Sequence, residues 1–173
     1  MRLFHVSEEP DIREFLPRFP QRKDLDPKIG LVWAVDEFHL PNFLTPRNCP
    51  RVAYHVGEKT TKADQSAFFS SNTTRYAIVI ESKWVPAMLS ASLYLYEFPT
   101  EDFVLQDAAA GYYISKNKQV PIAKYEITDP FAQLMARNVE IRIADHLWDI
   151  ADRVKESTLD WSLCRMAFAK PRP

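Results

Sequence analysis

Charged and polar side chains are concentrated in residues 36–51, a segment that also contains three prolines. It has the sequence DEFHLPNFLTPRNCPR and forms a stiff arm, because proline fixes φ and removes a backbone donor. A guanidinium group binds phosphate or carboxylate through two parallel hydrogen bonds, so Arg47 and Arg51 are candidate contacts of a small anionic ligand or nucleotide. The alternative is that both arginines pair with internal carboxylates, such as Asp36 or Glu37, and lock the arm.

The cysteine of the arm stands between these two arginines. Positive charge near a thiol favours the thiolate, which makes Cys49 a candidate nucleophile. No sequence feature assigns a base to it, and an inert cysteine is the alternative. Cys164 is distant in sequence, and the two cysteines have no metal-type spacing. We expect two reduced thiols, and the sequence leaves a single disulfide open.

Two predicted strands, one near each end of the chain, contain ionisable residues that suit catalysis. His5 lies in the first strand, RLFHV, and Glu140 lies in the late strand VEIRI. A carboxylate that faces a cleft from a strand orients a sugar hydroxyl or stabilises developing positive charge. The alternatives are a hydrogen-bonded structural histidine and an exposed glutamate beside Arg142.

Tyrosines form a third group of candidate contacts. Tyr94 and Tyr96 lie in SLYLYEF, and Tyr112 and Tyr113 lie in GYYIS. Aromatic rings stack on a base or on nicotinamide, and they also fill hydrophobic cores. Each of the four tyrosines, Tyr113 included, is a candidate cofactor contact, with a core position as its alternative.

The four histidines do not form a local metal-binding motif. Neither H-x-H nor H-E-x-x-H occurs, so the sequence predicts no resident metal ion. A site assembled across strands from His5, His39 and Asp36 is a further hypothesis.

Composition excludes several classes of function. The three glycines, at positions 30, 57 and 111, are isolated, so neither a P-loop nor a G-x-G-x-x-G dinucleotide turn exists. A net charge of −1 argues against a broad electrostatic grip on nucleic acid or on an anionic membrane. No apolar run approaches the roughly 20 residues that span a bilayer, and the start of the chain does not resemble a secretory signal. We expect a cytoplasmic protein, and the sequence does not indicate its oligomeric state.

Several strand patterns separated by short helical patterns predict an α+β fold. We expect one domain over residues 1–173, with mixed or mostly antiparallel strands in two small sheets and short helices between them. Residues 18–28 are expected to form an exposed connection.

Four positions predict where helices begin. Thr61 and Asp129 are expected N-caps, and Asp129 is followed by proline at the first helical position. Asp145 is the expected N-cap of a later helix. Pro10 is expected to lie in the first turn of a short helix near the start of the chain.

The chain resembles a bacterial family described as a domain of unknown function. The shared features include LFHVSEEPDI at the start, PNFLTPRNCPRV in the arm and VEIRIADHLW near the end. This resemblance spans nearly the whole chain and implies no reaction.

A weaker resemblance is to NAD-dependent ADP-ribosyltransferases of the H-Y-E type. It depends on the opening LFHVS, the following strand WAVD and a late strand glutamate. It implies NAD as cofactor, with His5 at the nicotinamide ribose, Tyr112 or Tyr113 on the nicotinamide, and Glu140 aiding transfer.

Two hypotheses from different classes follow. The first is an enzyme or NAD-like nucleotide-binding domain whose cleft, between two small sheets, is lined by His5, Arg47, Arg51 and Glu140. The second is a non-catalytic protein-interaction module in which these polar groups pair internally. The first predicts that the arm brings the four side chains together in one hollow.

Overall fold

Short strands, with short helices between some of them, make up this computed structural model, which describes residues 1–20 and 25–173. The strands are β1 (Leu3–Ser7), β2 (Val32–Asp36), β3 (Arg51–His55), β4 (Tyr76–Glu81), β5 (Leu93–Phe98), β6 (Val104–Asp107), β7 (Tyr112–Ser115), β8 (Ala123–Ile127), β9 (Val139–Ala144) and β10 (Asp160–Cys164). The α-helices are α1 (Lys62–Phe68), α2 (Val85–Ser90), α3 (Pro130–Ala136) and α4 (Trp148–Lys155). The predicted α+β class with two small sheets is confirmed. Part of the predicted 18–28 connection, residues 21–24, lies outside the described residues.

The chain divides into two compact units, each built from two separate stretches. The first unit contains residues 1–40 and 93–127, and the second contains residues 41–92 and 128–173. The expectation of one domain over residues 1–173 stays a prediction.

The first unit contains a six-stranded sheet in the order β6-β7-β2-β1-β5-β8. Neighbouring strands are antiparallel throughout. One face buries a cluster of apolar side chains, which removes their surface from water and stabilises the sheet. The buried members of this cluster are Leu3, Val32, Ala34, Phe98 and Phe103.

The second unit contains a four-stranded sheet in the order β10-β3-β4-β9. β4 and β9 are parallel, and the other two pairs are antiparallel. One sheet face packs on α1 and α4, where the apolar residues of α4 recur at helical spacing. The buried members of this core are Val52, Tyr54, Phe68, Phe69, Ala77, Val79, Leu147, Ala151, Val154 and Leu159.

Two helices begin where the sequence predicts. The Oγ1 of Thr61 accepts the backbone N–H of Asp64 at 3.1 Å, and the carboxylate of Asp129 accepts the N–H of Ala132 at 2.9 Å. Each contact satisfies a donor that has no partner inside the helix. None of the described helices combines the length and the apolar character that crossing a membrane requires.

The expected short helix after Pro10 is wrong. The segment is not helical, because it pairs with residues from later in the chain. Phe15 and Gln119 exchange two backbone hydrogen bonds, of 2.8 and 3.0 Å. The N–H of Ile12 donates to the hydroxyl of Tyr96 at 3.1 Å. A helix this short has little intrinsic stability, so these contacts decide the conformation.

The expected cap at Asp145 is also wrong. The helix α4 begins at Trp148, and its N-cap residue is Leu147. The Asp145 carboxylate forms an ion pair with Lys170 instead. An ionic partner from the end of the chain therefore replaces the local capping bond.

Candidate functional site

His5, the predicted catalytic histidine, has a hydrogen bond and a ring contact within the first unit. Its Nδ1 lies 3.0 Å from the carbonyl oxygen of Trp33, so this nitrogen carries the proton and donates it. Its ring packs against Phe15, with centroids 4.8 Å apart. Burial lowers the pKa of His5 below its ordinary value, and this effect exceeds the opposing effect of the Trp33 hydrogen bond. His5 is therefore a neutral imidazole with a structural partner.

Tyr113, the predicted cofactor contact, lies on β7 opposite Ala34 of β2. It is half-buried and packs against the apolar cluster of the first unit. Its ring contributes to the core, which was the alternative for this residue.

His39 and Asp36 form a close pair at the end of β2. The carboxylate oxygen Oδ1 of Asp36 lies 2.8 Å from Nδ1 of His39 and also accepts the backbone N–H of His39 at 2.8 Å. Gly111, with a φ of 65°, leaves the room that the imidazole needs, because a Cβ there would lie 2.1 Å from Nδ1. Within residues 1–20 and 25–173, no group of three or more His, Cys, Asp or Glu side chains is placed to hold a metal ion. The hypothesis of a metal site from His5, His39 and Asp36 is therefore wrong for the described residues.

The arm between β2 and β3 is ordered by turns, as its prolines predict. A 3-10 turn spans Leu40–Phe43, and the N–H of Cys49 donates to the carbonyl of Pro46 at 3.1 Å. Asn48 has a φ of 65°, in the left-handed region that asparagine tolerates. Arg47 lies beside it with an exposed side chain.

Arg51, at the start of β3, is 5% exposed. Its Nε donates to the carbonyl of Asn42, and its Nη1 donates to the carbonyl of Cys49 at 2.9 Å. The guanidinium carbon lies 5.5 Å from the centre of the Phe43 ring. No carboxylate of the described residues forms an ion pair with Arg51. Its charge is buried against carbonyl dipoles and an aromatic face.

Cys49 has the opposite character from a reactive thiol. It is buried, and it is a free thiol, as is Cys164. Burial raises the pKa of Cys49 to about 11, more than the nearby charge of Arg51 lowers it. The thiolate is therefore scarce at neutral pH, which contradicts the nucleophile hypothesis and agrees with the inert alternative.

Glu140, the predicted catalytic carboxylate, lies on β9 and contacts Ser70, the second residue after α1. It accepts the backbone N–H of Ser70 at 2.9 Å, the hydroxyl of Ser70 at 2.8 Å and the Nε of Arg142 at 2.6 Å. Burial raises the pKa of Glu140, but these hydrogen bonds outweigh it and hold the pKa below the ordinary 4.5. Glu140 is ionised and firmly held at neutral pH.

Arg51 and Glu140 project from opposite faces of the four-stranded sheet. Glu140 lies opposite Ala77 of β4, and Arg51 lies opposite Ile80 of the same strand. Residues opposite each other share a face, and successive residues of a strand alternate. Because Ala77 and Ile80 are three positions apart, the expectation that Arg51 and Glu140 line one hollow is wrong.

Two open hollows lie at the surface of the separate units. One has a volume of about 580 Å³ and is lined by Ser70, Thr73, Thr74, Asn138, Val139 and Glu140. The other has a volume of about 530 Å³, and its lining includes Asp11, Tyr96, Ile122 and Lys124. Glu140 lines the first hollow, and Tyr96, one of the candidate tyrosines, lines the second.

Sequence reasoning missed three buried polar residues of the second unit. The hydroxyl of Tyr76 donates to Oδ1 of Asn42 at 2.8 Å. Glu81 is fully buried, accepts the backbone N–H of Lys170 at 2.8 Å and lies 3.0 Å from Nζ of Lys83. The Tyr76–Asn42 partners lie 34 residues apart, and Glu81 and Lys170 lie 89 residues apart, so a local pattern contains no signal for these two contacts. The local signals are Lys83, two residues after Glu81, and the proline beside Asn42.

Comparison with known proteins identifies a family to which no function has been assigned. Neither a curated protein nor a solved structure matches the chain. None of the comparisons supports the resemblance to ADP-ribosyltransferases. Residues 4–169 match the family of unknown function DUF6886, and the chain belongs to that family.

Proposed function

We propose that this protein binds a small anionic ligand of the phosphate or nucleotide class at the guanidinium of Arg51. The observation that carries the proposal is a buried guanidinium for which the described residues provide no carboxylate partner. Removing such a charge from water costs several kcal/mol, and buried charges are ordinarily paired. An anion at this position would supply the missing charge.

The geometry of Arg51 suits such a ligand. A guanidinium has five N–H groups, and Arg51 uses one from Nε and one from Nη1 on the arm carbonyls. The other three have no acceptor among the described residues. Because two hydrogen bonds and the Phe43 ring hold the group in place, little side-chain entropy remains to be lost on binding.

The experiment is a titration of the ¹⁵N-labelled protein with inorganic phosphate, ADP-ribose and NAD, combined with thermal unfolding. We expect the Arg51 Nε–H signal to shift with one of these ligands. We also expect stabilisation of about 2.7 kcal/mol at 100 times its Kd. Arg51→Gln should abolish both effects, whereas Arg137→Gln, which removes an arginine bonded to Gln133, should preserve them. A silent wild-type titration with all three ligands would reject the proposal.

A separate candidate, which does not use Arg51, is that NAD binds in the polar hollow beside Glu140 and that Glu140 aids transfer of the ADP-ribosyl group. Its support is the position of Glu140 on a late strand, beside a polar hollow. In such a transfer the bond from ribose to nicotinamide breaks, nicotinamide leaves, and an acceptor nucleophile forms the new bond. Release of nicotinamide from NAD that is lost in Glu140→Gln would support it. No release from wild-type protein would reject it and leave the phosphate titration to decide anion binding.

A second candidate is a non-catalytic interaction module. The observation in its favour is that His5 and Glu140 are engaged by internal partners while large apolar side chains are exposed on both units. Those exposed side chains include Leu89, Val104, Leu105, Val120, Ile122, Met135 and Trp161. Binding of a protein partner that resists Arg51→Gln would favour this candidate.

A further inference from the structure

β8 is an edge of the six-stranded sheet, and its backbone is available on one side. β5 is its neighbour in the sheet, and no other described strand pairs with it. An edge strand presents a row of N–H and C=O groups that a second strand can pair with. The five residues Ala123–Ile127 contain neither proline nor glycine, so the row is uninterrupted.

Apolar side chains lie along this edge and just before it. Tyr125 is 43% exposed, Ile122 is 66% exposed and Val120 is 54% exposed. Covering them would remove apolar surface from water, which favours association.

The charges of β8 match those of a second copy. Lys124 and Glu126 flank Tyr125 symmetrically, so antiparallel pairing centred on Tyr125 sets each Lys124 opposite Glu126 of the other copy. A lone lysine on an edge discourages pairing, but a glutamate at the matching position turns it into an attractive pair. The same register sets Ala123 opposite Ile127, which adds no buried charge.

We propose that two copies of this protein associate through β8, in antiparallel register centred on Tyr125. The two six-stranded sheets then form one continuous sheet across a twofold axis. An edge of five residues is about 17 Å long, and stable interfaces bury about 1,200–2,000 Å² in total. The contact is small by that measure, so the dimer forms with modest affinity and its population depends on protein concentration.

The present partners of these side chains are compatible with this pairing. Nζ of Lys124 donates to the carbonyl of Pro10 at 2.7 Å and lies 3.8 Å from Oδ1 of the exposed Asp11, a distance too long for a hydrogen bond, so two further N–H donors remain. Glu126 meets the hydroxyl of Tyr94 at 3.4 Å, a long contact that a lysine ammonium would replace. Both side chains lie on the same sheet face, because Lys124 and Glu126 are two positions apart in one strand.

Another edge with symmetric charges is less suitable. In β9, Glu140 and Arg142 flank Ile141, but they are bonded to each other at 2.6 Å. The helix α3 also packs against β9. The second edge of the six-stranded sheet, β6, has four residues and no pair of opposite charges.

Sedimentation velocity over a range of concentrations tests the proposal, with charge reversal as the probe. Lys124→Glu alone, or Glu126→Lys alone, sets like charges opposite each other twice and should weaken the dimer about tenfold or more. The double reversal Lys124→Glu with Glu126→Lys restores opposite charges and should restore the dimer. Lys116→Glu, at an exposed position outside β8, is the matched control and should leave the affinity unchanged.

Two results would overturn the proposal. One is a wild-type protein that stays monomeric at every concentration. The other is a dimer whose affinity is the same in the single and the double reversals, which would assign it to another surface. Circular dichroism and thermal unfolding of each variant distinguish weakened association from loss of folding.

Discussion

The carboxylate of Glu140 accepts both the backbone N–H and the hydroxyl of Ser70, at 2.9 and 2.8 Å, and so links β9 to the segment just after α1. Arg142 completes the arrangement from the same strand, with its Nε on Glu140 and its Nη2 on the carbonyl of Phe68. The group predicted to catalyse is thus a structural link between a strand and a helix end. That link has measurable consequences for stability.

Glu140→Gln should lower the free energy of unfolding by about 1.5–3 kcal/mol, because hydrogen bonds to a charged acceptor are lost. The pKa of Glu140 is below the ordinary 4.5, so its contribution is present above that pH and is lost as pH falls through the folded-state pKa. Urea unfolding of both proteins between neutral and acidic pH measures this. Glu156→Gln, at an exposed position, is the control and should change stability little.

His5 should make stability depend on pH in a higher range. Burial holds the pKa of His5 below 6.5, so the unfolded chain binds a proton more readily than the folded protein does. Its contribution is complete above pH 6.5 and is lost as pH falls towards the folded-state pKa. His5→Gln should reduce the slope of unfolding free energy against pH just below 6.5. An unchanged slope, or an NMR titration in which His5 protonates at its ordinary pKa, would contradict this prediction.

Cys49 should resist alkylation in the native protein. Its thiol is buried and its pKa is raised to about 11, whereas Cys164 is half-buried on the edge strand β10. Iodoacetamide at mildly alkaline pH should therefore label Cys164 first, and Cys49 only on unfolding. Mass spectrometry of Cys164→Ser provides the comparison, because native labelling of that variant should be nearly absent. Rapid native labelling of Cys49 would show that the arm opens.

Leu147→Ala should destabilise the second unit by about 2–5 kcal/mol, because it leaves a cavity in a fully buried position. Leu89→Ala removes the same atoms from a side chain that is 68% exposed, and should change stability by about 0.5 kcal/mol or less. Thermal and urea unfolding give both values. Equal effects in the two variants would contradict the packing of α4 on the sheet.

Local features of the sequence predicted much of the fold. The cap at Thr61 depends on a residue three positions away, and the pair of Asp129 with Pro130 identifies a helix start without any distant contact. The strands β4 and β9 follow from apolar runs and alternation. The helix expected after Pro10 failed because its partners, Tyr96 and Gln119, come from distant parts of the chain.

The candidate site was less predictable than the fold, because faces depend on register. Which residues of β4 lie opposite Arg51 and Glu140 decides whether these two side chains share a sheet face. A shift of one residue in the register of either strand would place them on the same face. The partners of His5 and Glu140, namely Trp33 and Ser70, also become neighbours only in the folded sheets. The residue types were suitable for catalysis, but contacts between distant parts of the chain give His5 and Glu140 structural roles.

The alternation of the two units along the chain has a consequence for biosynthesis. A ribosome that has released residues 1–92 has produced neither unit in full, since the first needs residues 93–127 and the second needs residues 128–173. β1 cannot pair with β5, and β4 cannot pair with β9, until the later strand of each pair has been synthesised. The nascent chain therefore exposes unpaired strands until the later stretch of each unit has been made, a period in which chaperones would protect it from aggregation. For the same reason, a single proteolytic cut or truncation cannot release either unit as an intact fragment.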